Sequence, residues 1–330
     1  MAYHSVHPDA RQAADTKPAA TPGHVNLSSL TLLLLTGGML AGSVDFAKAA
    51  PAFGWDPLSL LMWSFFLATV LQTAVFLRQG PASLMGGLSL KGQGGKTRLL
   101  IYMFVTGLLI AAPNAIAFAS AKHVGVTFVT LTFAFPLVLT YGLSLMIGLE
   151  HPRLARVIGV LFSLAGGGVF AFGAGATNPS AGWWVLIAFS IPVFLTIGNL
   201  YRSMRWPPGA SPQLLSIGMM AFSFASLLVL VAGMGVPLLP EHISVAAIAI
   251  LLAQGAMYAV LYLFYFQLQK QAGPVYLSQL GSVSAAFGLP FGLIFFGEIP
   301  SLVQVAALFL IVLGIFLVSR RRNRAAAGTS

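Results

Sequence analysis

Apolar runs of about 20 residues, each long enough to cross the hydrocarbon core of a bilayer, recur along this chain and leave little room for anything else. Bounded by charge, proline or polar clusters, ten of them cover residues 27–47, 57–78, 98–119, 124–147, 154–173, 183–203, 212–236, 244–268, 274–296 and 302–319. Inside lipid every backbone N–H and C=O must be paired within the protein, so runs of this length become helices. The expected fold is all-α and integral to the membrane, with ten transmembrane helices. Composition excludes the soluble and disordered alternatives: 58% of the 330 residues are hydrophobic and 7% are charged, against about 25% charged in soluble domains. The absence of Cys excludes thiolate nucleophiles, thiolate metal sites and disulfides.

Residues 1–26 are polar and lack hydrophobic periodicity, which predicts a disordered cytoplasmic tail. Residues 320–330 read as a basic cytoplasmic tail, and Pro81 to Lys96 as a surface loop. The first run is followed by Ala47-Lys48-Ala49, a small-x-small signature of signal-peptide cleavage. The long, mixed segment ahead of it favours a retained span instead. With the N-terminus inside, 15 of the 17 Lys and Arg fall on the cytoplasmic side, and only Lys48 and Lys122 fall outside. Because basic residues mark cytoplasmic loops, this split predicts both termini in the cytoplasm of a bacterial inner (plasma) membrane. Arg202 and Arg205 are counted there as a cytoplasmic loop pair.

The chain also aligns with itself. A shift of 148 residues places Lys122 on Lys270, Gly125 on Gly273, Glu150 on Glu298, Pro152 on Pro300 and Gly166 on Gly314, and a shift of 155 places Pro57 on Pro212. Each half, 27–175 and 181–319, then holds five spans. Five is odd, so the second half enters the membrane inverted relative to the first, as in many secondary transporters.

Pro136 to Gly166 (PLVLTYGLSLMIGLEHPRLARVIGVLFSLAG) joins a mid-span Pro, a Glu-x-Pro at a helix end and a Gly-bearing span. It resembles the fourth and fifth helices of the EamA-type members of the drug/metabolite transporter superfamily. Gly281 to Gly314, with FFGEIP at 295–300, resembles the ninth and tenth, and Gly42-Ser43 followed by Lys48 is similar to the first-helix motif. Two departures stand out: Ser284 occupies the position of Pro136 in the second repeat, and Trp63 or Ser64 stands near where many relatives carry Arg. The resemblance implies two inverted EamA repeats that export a small metabolite by alternating access. It also implies a cavity lined mainly by helices 1, 3, 4, 6, 8 and 9.

Ionisable residues within a bilayer are costly and are functional candidates by default. Asp45 is the acidic residue placed inside a span, with Lys48 three residues on. The pair is a candidate for amine and carboxylate recognition, or for an interfacial ion pair, and Asp45 alone is a candidate for carrying a coupling proton. Glu150 and Glu298 end spans on opposite sides of the membrane and are read as structural end markers. Polar residues within spans complete the substrate-binding set: Asn114, Asn199, Gln254, Tyr258, Tyr262 and Gln279, with Tyr265, Ser278 and Ser282 beside them. Gln254, Tyr258, Tyr262 and Tyr265 follow helical spacing and share one face. Pro136, Pro192 and Pro290 are expected kinks within spans, and Gly288-x-x-x-Gly292 has close-packing spacing.

These features point away from an enzyme, since no His lies in a span and no His-Glu-x-x-His or facing pair of Asp is present. A secondary transporter without cofactor or metal is expected. Its partners are the lipid bilayer, a small-molecule substrate and, if Asp45 couples, protons. Nucleic acid is not expected, and the assembly is a monomer or homodimer. A passive channel or a multidrug efflux carrier is the alternative. The spans offer aromatics, amides and hydroxyls with few charges, so the expected substrate is small and neutral, zwitterionic or amphipathic, and phosphorylated substrates needing buried basic clamps are disfavoured.

Overall fold

The computed structural model describes residues 27–78, 95–124, 129, 132–133, 135–149, 151–173, 182–297 and 302–319. Among these residues the chain is all-helical, without strands. The helices are α1 (Leu27–Ala49), α2 (Pro57–Arg78), α3 (Gly95–Val124), α4 (Pro136–Met146), α5 (Leu154–Gly173), α6 (Gly182–Met204), α7 (Pro212–Gly233), α8 (Val245–Leu277), α9 (Leu280–Phe296) and α10 (Leu302–Ser319), with a 3-10 turn at Ala50–Phe53. Six are long and apolar enough to cross a membrane: Ser29–Phe53, Pro57–Arg78, Gly95–Ser120, Trp183–Met204, Pro212–Gly233 and Val245–Leu277. Pro136–Met146 is too short to cross alone, at about 1.5 Å per residue.

Helix starts are fixed by local chemistry. The Asp56 carboxylate accepts from the Leu58 backbone N–H at 2.8 Å, and Pro57, which has no N–H to lose, takes the first helical position of α2. Ser211 caps α7 in the same way, accepting from Leu214 N–H at 3.2 Å ahead of Pro212. Ser244 caps α8 by accepting from Ala247 N–H at 3.0 Å. Pro136 opens α4, where its fixed ring suits a first turn and its missing N–H removes no interior hydrogen bond. Pro192 and Pro290 do lie within helices, as do Pro113 and Pro274.

The eighth and ninth spans meet at a break. Helix continues past the expected end at 268 until Gly273 interrupts it with φ 78° and ψ −179°, and a short helical stretch follows to Leu277. That region is open essentially to Gly alone.

The core is mostly apolar, yet the exterior is apolar as well and many polar side chains are drawn inside. Ser59, Ser64, Thr106, Thr140, Ser216 and Gln254 are completely buried, while Leu154, Trp183, Val229, Leu302 and Phe309 are more than 70% exposed. Such an apolar exterior suits lipid. Within the bundle α1 packs on α8 and α9, α6 on α3 and α4, α2 on α7 and α8, α3 on α7, and α5 along α10. Two of these contacts are set by glycines: a Cβ at Gly107 of α3 would stand 2.6 Å from Phe222 Cβ, and one at Gly255 of α8 would stand 2.5 Å from Leu67 Cδ2. Among the described residues, nothing stands within 4 Å of where a Cβ at Gly288 would go. Glu150 and Glu298 lie outside the described residues, as do both tails.

Connections at one end of the bundle are stitched together. Trp55 Nε1 donates to the Ala247 carbonyl at 2.9 Å, Glu241 N–H donates to the Gly54 carbonyl at 2.9 Å, and Trp63 Nε1 donates to the Leu238 carbonyl at 2.8 Å. The α1–α2 connection is thereby tied to the segment between α7 and α8.

Candidate functional site

Six helices and their ends border a small, partly open cavity. Thr36 and Leu40 of α1, Ile110 and Asn114 of α3, and Leu195 and Asn199 of α6 form part of the wall. Across from them stand Leu261, Tyr262 and Tyr265 of α8. The starts of α4 and α9 complete it, through Phe133 and Pro136 on one side and Ser278, Leu280 and Gly281 on the other. The wall is mainly apolar and aromatic with few polar groups, the usual makeup of a small-molecule pocket.

Helical spacing explains who reaches the cavity. Thr36 and Leu40, Ile110 and Asn114, Leu195 and Asn199 are each four apart, so each pair shares a helix face. On α8 the face anticipated from sequence is present: Gln254 and Tyr258 are buried and bonded at 3.4 Å, and Tyr262 and Tyr265 continue the stripe to the cavity. Phe65 of α2 stacks on Tyr258 at 5.2 Å and leans on Tyr262 at 5.4 Å, which holds the stripe in register.

Of the expected site residues, Asn114, Asn199 and Tyr262 come together at the cavity. Gln254 and Tyr258 lie further along α8, and Gln279 is fully buried at the α8–α9 turn, flanked by the lining residues Ser278 and Leu280. Asp45 is half-buried and Lys48 exposed, one to two turns beyond Leu40 on α1, and neither lines the cavity.

Arg202 is where the sequence reading needs correction. Counted as a loop charge, it sits in the last turn of α6 with no exposed surface. Its Nε donates to Gln269 Oε1 at 2.9 Å, and its Nη2 donates to Asn199 Oδ1 at 2.7 Å and to the Tyr265 hydroxyl. The guanidinium carbon also stands 5.0 Å from the Tyr265 ring centre. Tyr265 in turn donates to Asn199 Oδ1 at 2.9 Å, and Gln269 Nε2 donates to the Asn199 carbonyl at 2.8 Å and to Ser203 Oγ at 3.0 Å. One turn from Asn199, this polar layer joins α6 to α8 at the edge of the cavity. Phosphorylated substrates are disfavoured above for want of a buried basic residue, and Arg202 is such a residue.

No protein-family model matches the chain. No curated protein matches it either. A solved structure described only as "Crystal structure of protein" is similar over 89% of this chain and 96% of its own, with a TM-score of 0.67 and 19% identity. At that identity the likeness is one of fold.

Proposed function

We propose that the chain is a secondary transporter of the plasma membrane, with ten spans in two inverted five-helix repeats, exporting a small metabolite by alternating access. The observation that carries the reading is a cavity bounded by α1, α3, α4, α6, α8 and α9, the six helices that the EamA resemblance implies. Helix packing supports it further. Exchanging each helix with the one five places away turns α1–α9 into α6–α4, α1–α8 into α6–α3, and α2–α8 into α7–α3, and all six contacts are present. Two of the tightly packed glycines, Gly107 and Gly255, are 148 residues apart, as are the lining residues Asn114 and Tyr262, and Phe133 and Gly281. Leu40 and Leu195 are 155 apart. A site at the junction of two inverted repeats is the expected place for substrate in such carriers.

Counterflow in proteoliposomes tests this. A carrier exchanges labelled for unlabelled substrate and saturates, whereas a channel shows flux that rises linearly with concentration. Absence of exchange across a panel of amino acids, organic acids and aromatic drugs would remove the carrier reading.

A further inference from the structure

We propose that Arg202 is an anion-recognition residue, and that the cavity takes a small carboxylate with an apolar or aromatic body. This rests on the transport reading only for what is carried. The pairing itself is a property of the folded protein.

A guanidinium is a permanent cation with five N–H donors. Three are used by Gln269, Asn199 and Tyr265, all of them neutral, and Nη1 is buried without a partner. No carboxylate among the described residues reaches it, so the charge is held by dipoles and an aromatic ring alone. A buried cation in that state is costly, and an anion that completes its donors relieves the cost. Two of its neutral partners, Asn199 and Tyr265, are themselves cavity walls, which places the charge one residue behind the lining. Gly198 makes room for the guanidinium itself, since a Cβ there would stand 3.0 Å from Nη1 and 3.4 Å from Nη2.

Two further features favour negative charge. Thr36 lines the cavity with a buried hydroxyl that has no partner. The N-terminal ends of α4 and α9 both border the cavity, and the partial positive charge of a helix start attracts anions. The remaining wall of Leu40, Ile110, Phe133, Leu195 and Leu261 suits an apolar body.

The test compares benzoate with benzamide, and phenylacetate with phenylacetamide, as thermal stabilisers of the full-length protein in detergent. Each pair matches in shape and differs in charge. The acids are expected to raise the unfolding midpoint and the amides to leave it unchanged. Arg202→Gln should weaken the acids about tenfold or more, the loss expected for a charged hydrogen bond. Asn199→Asp serves if Arg202→Gln does not fold: it sets a carboxylate on the guanidinium, so it should raise the ligand-free midpoint and abolish the effect of the acids. Stabilisation by amides equal to that by acids, no effect of either acid, or acid effects undiminished in the variants would overturn the proposal. Transport without acid preference sinks this inference alone, and acid binding without transport sinks only the carrier.

Discussion

At the scale of single residues, burial separates what spacing could reveal from what it could not. Asn114, Asn199 and Tyr262 were legible because a polar side chain in an apolar run must face protein or water, and all three reach the cavity. Arg202 was not legible: four residues before Trp206, it looks like any basic span end, and only packing against Tyr265 and Gln269 removes it from solvent. The glycines on the α3–α7 contact give a direct prediction. A Cβ at Gly107 meets Phe222 Cβ at 2.6 Å and the Met219 carbonyl oxygen at 3.0 Å, so backbone must move, whereas one at Gly218 meets the flexible Met103 side chain at 2.2 Å. Gly107→Ala should therefore destabilise by about 1–3 kcal/mol and Gly218→Ala by clearly less, read as thermal midpoints in detergent. Asp45 gives a second. Lying off the cavity wall, it is a candidate for coupling in preference to recognition, so Asp45→Asn should flatten the pH dependence of exchange while changing substrate affinity less than about twofold. A large affinity loss at every pH would return Asp45 to the binding site.

At the scale of elements, the positions of the apolar runs were readable and their interruptions were less so. Hydrophobic length locates a helix, but it does not show that Pro136 begins α4, nor that Gly273 supplies the break between the eighth and ninth spans. Backbone geometry makes the break testable. Gly54, at φ 75° and ψ 11°, occupies the left-handed region that Asn tolerates, while Gly273, at φ 78° and ψ −179°, occupies one that Asn does not. Nothing lies within 4 Å of a Cβ at Gly273, so any effect there is conformational and not steric. Gly273→Asn should lower stability by about 1–3 kcal/mol and slow exchange, because the break carries Ser278, Leu280 and Gly281 to the cavity, and Gly54→Asn should lower stability less. Equal losses would mean that the break is not under backbone constraint.

At the scale of the whole molecule, the all-helical, membrane-compatible fold was legible in composition alone, while the arrangement of its halves rests on weaker signals. Few residues repeat at 148, and Glu150 and Glu298, the rarest of the matching pairs, fall outside the described residues. Helix pairing is a signal of shape and not of identity, and the contacts α1–α9 and α6–α4, which the proposed repeat would exchange, are both present. Orientation depends on charge. Removing buried Arg202 from the cytoplasmic count leaves 14 of the remaining 16 basic residues on that side, so the asymmetry survives the correction. The hydrogen bonds from Trp55, Trp63 and Glu241 add a geometric condition: the α1–α2 and α7–α8 connections must lie on the same side. With an odd number of spans between them that condition fails, and with six it holds. Reporter fusions after Ala174 and after Leu239 should therefore report the periplasm, and a fusion after Arg324 the cytoplasm. With the N-terminus inside, a cytoplasmic signal after Leu239 would require Trp55 and Ala247 to sit on opposite faces of the membrane, and a periplasmic signal after Arg324 would make the span count odd and dissolve the proposed inverted repeat.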